Sequence, residues 1–146
     1  MEDKEFIPYE EALALKELGF DEECLTIYYK DDNPKKLLFS IAEKYSSNPE
    51  VAKHQSRDAI RDINFDKGWA IKVPLYQQAF RWFREVYNLS SFLDLMNPGY
   101  PNGDWDWTIR HKEYENCYAS STSTYEKAEL ACLRKLIEIV KSNKNE

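Results

Sequence analysis

The sequence predicts an α+β fold in the order α-β-β-(insert)-α-β-β-α, with an antiparallel sheet whose helices pack mainly on one face. Three segments place apolar residues at helical spacing, and several shorter segments alternate apolar and polar residues as half-buried strands do. This arrangement is typical of helices packed on an antiparallel sheet. The 146 residues match one domain, which we expect to span residues 1–146 with a polar inserted segment at about 45–68.

The first part of the chain predicts a helix followed by strands. The helix spans residues 8–18, and Gly19 and Phe20 after it are typical of a C-terminal cap. Turn-forming residues at 31–34 predict a β-hairpin between two of the strands. We expect the inserted segment to form a helical excursion rather than a long structureless loop. The predicted strands are residues 24–29, 37–42 and 69–73.

The central helix, predicted over residues 74–87, carries a heavy apolar load. Pro74 has the fixed φ that suits the first turn of a helix, so the start is well defined. Because much of the apolar surface is aromatic, it needs an apolar sheet to cover it. The apolar side chains that fall within one arc of about 160° are Leu75, Tyr76, Ala79, Phe80, Trp82, Phe83, Val86 and Tyr87.

The last part of the chain predicts two strands and a final helix. The strands are residues 90–96 and 105–111, joined by a loop at 97–104 that contains two prolines and two glycines. Residues 119–124 are rich in Ser and Thr and are predicted to be a connector. Residues 123–126 match a capping box for the final helix, which we expect to run to about Lys141.

Composition excludes several classes of function. A net charge of −6 argues against broad attachment to nucleic acid or anionic lipid. No apolar run approaches the roughly 18 residues of a membrane span, and the acidic N-terminus is unlike a signal peptide, so we expect a cytoplasmic protein. Motifs of the common catalytic and cofactor-binding classes are absent from the sequence, which favours a non-catalytic protein without a cofactor. An aromatic-rich surface is compatible with a homo-oligomer.

Two arginines on the central helix are candidates for ligand binding. Arg81 and Arg84 lie on its polar face beside Trp82, where guanidinium groups next to an exposed indole can hold a phosphate or stack on a base. The alternative is a solvated face on which Arg81 pairs with Glu85 at i, i+4 spacing.

The loop before the second strand of this half carries aromatic residues that suit a ligand or partner surface. They are Tyr100, Trp105 and Trp107. Alternatively, these side chains fold back over the edge of the sheet as a small core. Trp105, Trp107, Ile109 and His111 also share one face of the predicted strand.

Several acidic residues and one histidine are weaker candidates for chemistry. Asp104 and Asp106 have the spacing at which two carboxylates on one side of a strand can share a divalent cation. Glu129 falls inside the apolar arc of the final helix; it is either a buried carboxylate or an exposed one in the first turn. His111 is a possible general base, or simply a half-buried ring at a strand end. Neither His54 nor His111 has the spacing of a zinc site.

Two helical segments carry a resemblance to a known group of proteins. Residues 79–87, AFRWFREVY, and residues 125–137, YEKAELACLRKLI, resemble the signature of small uncharacterised proteins from phages and mobile elements of Bacteroidota. That group also opens with a Phe-[Ile/Val]-Pro-Tyr-Glu segment similar to residues 6–10. The resemblance covers the three helices well and the strands loosely. It implies no activity, but it does imply an accessory phage-type protein that acts inside a bacterial host.

These observations predict a small non-catalytic binding protein. We expect it to bind a host protein or a small nucleotide-like signal, in a host-interference or anti-defence role. The first alternative is a metal-dependent hydrolase or nuclease that uses Asp104 and Asp106. The second is a nucleic-acid-binding accessory protein, which the negative charge disfavours.

Overall fold

The computed structural model describes residues 3–30, 33, 35, 37, 70–96, 104–113 and 117–144. The chain divides into two compact units, Met1–Leu75 and Tyr76–Glu146. The elements in chain order are α1 (Tyr9–Glu17), β1 (Thr26–Tyr29), β2 (Ala70–Val73), α2 (Tyr76–Tyr87), β3 (Leu89–Leu95), β4 (Trp105–His111), β5 (Cys117–Thr122) and α3 (Tyr125–Lys144), with a short 3-10 helix at Asp3–Glu5. The α+β class and the order of helices and strands are confirmed, while the single domain stays a prediction.

Helix α1 ends at the cap that its sequence predicts. Gly19 has a φ of 101°, which a residue without a Cβ adopts at little cost. The Phe20 N–H donates to the carbonyl of Leu15 at 2.9 Å, and the Gly19 N–H donates to the carbonyl of Lys16 at 3.0 Å. These two bonds define a Schellman motif, which satisfies carbonyls left open at the end of the helix.

The first unit contains a two-stranded antiparallel sheet. Strands β1 and β2 pair from Thr26 opposite Val73 to Tyr29 opposite Ala70, and α1 packs on β2. The strand predicted at residues 69–73 is therefore confirmed. The strand predicted at 37–42 and the helical excursion at 45–68 lie outside the described residues, apart from Leu37.

The second unit is a three-stranded antiparallel sheet in the order β3-β4-β5. Helix α2 packs on β3, and α3 packs on all three strands. Along β4, Trp107 and Ile109 are buried whereas Arg110 is exposed, so alternate residues point toward the helices and away from them. The helices thus cover one face of this sheet, as predicted.

The apolar arc of α2 is confirmed at its centre and wrong at two positions. Leu75 precedes the helix, which begins at Tyr76, and forms an isolated β-bridge with Phe6. The ring of Phe83 is fully buried, and Tyr76, Ala79 and Trp82 are buried with it. Val86 is 53% exposed, although it lies within the predicted arc. The angular position of a residue on a helix does not show how far the covering surface extends along the helix axis. Because Val86 lies in the last turn of α2, it can fall within the arc and still be exposed.

The predicted connector at residues 119–124 is wrong, because residues 117–122 form strand β5. Serine and threonine side chains on an exposed edge strand produce no alternation of apolar and polar residues, so hydrophobic periodicity does not predict this strand. The predicted capping box is shifted by one residue, since the Lys127 N–H donates to Thr124 Oγ1 at 3.2 Å. Helix α3 also runs to Lys144, beyond the expected end at Lys141. Among the described residues, no helix has the length and apolar character needed to cross a bilayer.

Candidate functional site

A pocket of about 520 Å³ lies at one end of the second unit. The antiparallel register places the start of β3 beside the end of β4, with Leu89 opposite His111, and the start of β5 lies on the other side of β4, with Cys117 opposite Arg110. Helices α2 and α3 also end there. The lining residues are Tyr87, Leu89, His111, Tyr118, Ile139, Val140, Asn143 and Lys144.

The connection between α2 and β3 shapes one wall of the pocket. Asn88 has a φ of 58°, the left-handed conformation that asparagine tolerates better than most residues. Its carbonyl accepts a hydrogen bond from the Lys112 N–H at 3.0 Å, which ties the connection to the end of β4. This tight turn leaves the flanking residues, Tyr87 and Leu89, both on the pocket wall.

Tyr87 is held by an aromatic cluster on α2. Its ring centroid lies 5.3 Å from that of Trp82 in an edge-on arrangement and 6.0 Å from that of Phe83. Trp82 and Phe83 also meet edge-on at 5.1 Å. Each such ring pair contributes about 0.5–1.5 kcal/mol beyond the apolar area it buries, so the pocket wall at Tyr87 is preorganised.

His111 is fixed in one tautomer by the backbone. Its Nδ1 accepts a hydrogen bond from the Glu113 N–H at 3.1 Å. A neutral imidazole that accepts at Nδ1 carries its proton on Nε2, which is then a donor. The ring is half-buried at the end of β4, as one of the two sequence interpretations expects.

The other wall of the pocket combines an aromatic ring with helix-terminal polar groups. Tyr118 on β5 is 38% exposed, and Lys135 Nζ lies 4.9 Å from the centroid of its ring. Lys135 also forms an ion pair with Glu138 at 3.0 Å. Asn143 and Lys144 close the pocket at the last turn of α3, so apolar walls lead to a polar end.

The sequence-predicted binding residues lie elsewhere. Arg81 and Arg84 are exposed on α2, and within the described ranges neither forms an ion pair. The indole of Trp82 beside them is only 7% exposed, so the exposed indole that this hypothesis requires is missing. The binding role of the two arginines stays a prediction.

The predicted aromatic surface is divided between the core and residues outside the described part. Trp105 is half-buried on β4 and meets the Tyr125 ring edge-on at 5.0 Å. Trp107 is buried on the same face, and its Nε1 has no hydrogen-bond partner among the described residues. Tyr100 lies outside the described residues. Neither Trp105 nor Trp107 is among the residues that line the pocket, and the binding role of all three residues stays a prediction.

Glu129 is buried, which decides between the two sequence interpretations. Its side chain is 7% exposed, so the exposed first-turn alternative is wrong. Burial raises the pKa of Tyr125, and the charge and hydrogen bond of Glu129 raise it further. Burial also raises the pKa of Cys132 to about 11, although the neighbouring Ser91 hydroxyl opposes the shift. The thiol therefore stays protonated at neutral pH, which makes it a poor nucleophile.

The predicted acidic pair gains a neighbour in the structure. Asp104 is exposed, Asp106 is half-exposed on β4, and Asp94 on β3 lies directly opposite Asp106. Even so, the part of the chain that the structure describes contains no group of three His, Cys, Asp or Glu residues able to hold a metal ion. The metal-dependent hydrolase stays a prediction.

Sequence reasoning missed most of the pocket, although one signal was present. Tyr87, His111 and Tyr118 lie at or near the ends of their elements, and the predicted antiparallel order already brings such ends together at one edge. The sequence does not predict strand β5, so it does not place Tyr118 at this edge of the sheet. Asn143 and Lys144 lie beyond the expected end of the final helix.

Comparison of this chain with protein-family models, curated proteins and solved structures gives no match. The resemblance to phage and mobile-element proteins accordingly stays a prediction.

Proposed function

We propose that the protein is a non-catalytic binding protein whose pocket, at the ends of α2 and α3, takes a small nucleotide-like ligand. The observation that carries the proposal is the pocket itself. Its volume of about 520 Å³ falls in the range of roughly 300–1,000 Å³ that is usual for small-ligand sites. Its apolar and aromatic lining with a few polar groups is also typical of such sites.

The lining matches the two faces and the edge of a planar base. The rings of Tyr87 and Tyr118 offer surfaces on which a base stacks, and base–aromatic stacking contributes about 1–3 kcal/mol per base. Leu89, Ile139 and Val140 supply apolar contacts. The Asn143 amide both donates and accepts hydrogen bonds, so it can read the edge of a base.

Two electrostatic effects compete for the phosphate of such a ligand. The partial negative charge at a helix C-terminus costs a nearby anion about 0.3–1 kcal/mol, and α2 and α3 both end at the pocket. A hydrogen bond from a lysine ammonium to a phosphate contributes about 1.5–3 kcal/mol. The contribution of Lys144 is the larger, so we expect the phosphate to lie at the Lys144 end of the pocket.

The proposal is tested by titrating the protein with adenosine and adenosine 5′-monophosphate while the melting temperature is measured. A ligand at 100 times its Kd stabilises the folded state by about 2.7 kcal/mol, which corresponds to roughly 5–10 °C for a chain of this length. We expect Tyr118→Ala to reduce both shifts. The matched control is Phe92→Ala, which removes an exposed ring from the opposite face of the same sheet.

A second pair of variants separates the base from the phosphate. Lys144→Gln should weaken binding of adenosine 5′-monophosphate by about tenfold, a change of about 1.4 kcal/mol, and leave adenosine binding unchanged. Lys141→Gln removes an exposed charge that does not line the pocket and should change neither. If millimolar nucleotides and nucleosides produce no shift, or if both control variants behave like the pocket variants, the proposal is wrong.

Sequestration of a nucleotide signal is the cellular role that we propose for this pocket, in line with the expected host-interference or anti-defence function. Sequestration needs affinity and no catalytic group, which agrees with the absence of familiar catalytic motifs from the sequence. The measurement is mass spectrometry of the small molecules released by heat from protein purified from a bacterial host. Recovery of a nucleotide from the wild type but not from Tyr118→Ala supports this role, whereas recovery from neither contradicts it.

A further inference from the structure

The face of the β3-β4-β5 sheet that points away from the helices is the second surface of interest. It carries the alternate residues of each strand that the helices leave uncovered. Phe92 at its centre is 50% exposed, and Met96, which follows Asp94 in the same alternation, is 44% exposed. Aromatic and methionine side chains are enriched at protein-binding surfaces.

One end of this open face is acidic. Asp94 and Asp106 lie directly across from each other, and Asp104 follows on the same side of the chain. Like charges in that arrangement repel, at a cost of about 0.2–1 kcal/mol. None of the three carboxylates forms an ion pair with another described residue. A cationic partner would therefore remove a repulsion that the isolated sheet keeps.

The other end of the open face is basic. Arg110 lies opposite Ser90 and is exposed. It is four residues from Asp106 on the same strand, which corresponds to roughly 13 Å at the usual rise of a strand. Between the two ends, Phe92 lies beside Thr108. The face thus has an acidic end, an aromatic centre at Phe92, and Arg110 at the far end.

We propose that this open face docks an amphipathic helix of a partner protein, with lysine or arginine at one end of its apolar stripe. About nine residues of helix span 13 Å at 1.5 Å per residue, so two to three turns reach from the acidic end to Arg110. The apolar stripe covers Phe92 at the centre of the face and reaches Met96 beyond the aspartate pair. The cations of the helix face Asp94 and Asp106, and an acidic residue near its other end pairs with Arg110.

The charge of the face argues against other occupants. A second copy of this chain would add the same three aspartates and Arg110, so the joined faces would keep an excess of negative charge in any two-fold orientation. Nucleic acid and anionic lipid carry charge of the same sign as the carboxylates. A basic segment of protein is the partner whose charge matches the surface.

The test uses two synthetic peptides of about 14 residues, which is near the length at which an isolated helix becomes marginally stable in water. One has leucine on one face and lysine on the other, and the second has glutamate in place of every lysine. Binding to the full chain is measured by isothermal titration, and the site is located by amide chemical shifts in NMR spectra. We expect the lysine peptide to bind with one site, shifting amides of β3 and β4, and the glutamate peptide not to bind.

Two sets of variants locate the site and its charge. Phe92→Ser should weaken binding of the lysine peptide by about tenfold or more. The double variant Asp94→Asn, Asp106→Asn should weaken it about fivefold and reduce its dependence on salt. Glu85→Gln with Glu126→Gln is the matched control, because it removes the same charge from exposed helix positions, and it should leave the affinity within about twofold.

Any of four results overturns this inference. They are no binding of the lysine peptide at millimolar concentration, equal binding of the glutamate peptide, shifts confined to residues away from β3 and β4, and equal losses in the aspartate variant and the control. Circular dichroism of each variant confirms that the fold is retained. Because Phe92 and both aspartates are exposed or half-exposed, their substitution should change stability by no more than about 0.5 kcal/mol.

Discussion

Phe83 and Val86 lie three residues apart on α2, fall within the same apolar arc of the sequence, and differ completely in burial. Phe83 is 0% exposed and Val86 is 53% exposed. Phe83→Ala removes a ring packed against Trp82 and Tyr87. We expect it to lower the free energy of unfolding by about 3–5 kcal/mol, through lost burial and the cavity left behind.

Val86→Ala should instead lie within about 0.5 kcal/mol of the wild type. The exposed valine contributes little packing, and alanine has the higher helix propensity, by several tenths of a kcal/mol. The predicted gap between the two variants is therefore about 3 kcal/mol or more, a large fraction of the roughly 5–15 kcal/mol that stabilises a typical domain.

Urea unfolding followed by tryptophan fluorescence and circular dichroism measures both variants. The slope of the free energy with urea should be similar in the two, so that the shift in midpoint reports stability alone. Equal losses for Phe83→Ala and Val86→Ala would refute the packing of α2 described above. A loss below about 1 kcal/mol for Phe83→Ala would also refute this packing, because removing a fully buried phenylalanine ring destabilises a protein by more than that.

Three further predictions follow from local geometry and charge. Gly19→Ala should lower the free energy of unfolding in urea by about 1–2 kcal/mol. The loss comes entirely from the φ of 101°, since an added Cβ meets no atom within 4 Å. An unchanged free energy of unfolding would contradict the cap at α1. Thr124→Ala should lower the free energy of unfolding by about 1 kcal/mol, because Thr124 is the N-cap of α3, whereas Ser123→Ala should lower it by only a few tenths of a kcal/mol. If Ser123→Ala instead has the lower melting temperature, the N-cap is Ser123, as the capping box in the sequence predicts. The raised pKa of Cys132 means that unfolded chains lose this proton first as pH rises, so the contribution of this thiol to stability should be constant below about pH 9 and fall by up to about 1.4 kcal/mol per unit toward pH 11. Burial raises the pKa of Cys24 to about 12, which adds a fall of the same sign. In Cys132→Ala the total fall should be shallower, and an unchanged slope would show that the Cys132 thiol is not responsible.

The pocket and the open face belong to opposite sides of one sheet. Tyr118 pairs with Ile109 and lies on the side covered by the helices, whereas Phe92 pairs with Thr108 on the uncovered side. A small ligand and a helical partner therefore do not compete for the same surface. The Phe92 variants serve as controls for the pocket for this reason, and Tyr118→Ala serves in the same way for the open face.

Local signals in the sequence predicted their parts of the fold well. The cap at Gly19 and Phe20 depends only on backbone conformation within one turn, so its residues specify it without tertiary help. The alternation of residues 105–111 predicts the bounds of β4, because that strand has one buried and one exposed face. Strand β5 escaped prediction since it is an edge strand whose Ser and Thr side chains are exposed on both faces. The candidate site was also not predicted, because its walls come from the ends of five different elements and no local pattern shows that these ends lie together.

By itself, the sequence determined the α+β class, the order of the predicted elements and the C-terminal cap of α1, because helical and strand periodicities and turn residues act over distances of a few residues. The tertiary structure alone decided which side chains of an apolar arc are buried, that Glu129 lies in the core, and that Asp94 faces Asp106. Those facts depend on strand register and on where one element covers another. Both are set by packing between segments far apart in the chain, to which no local pattern responds.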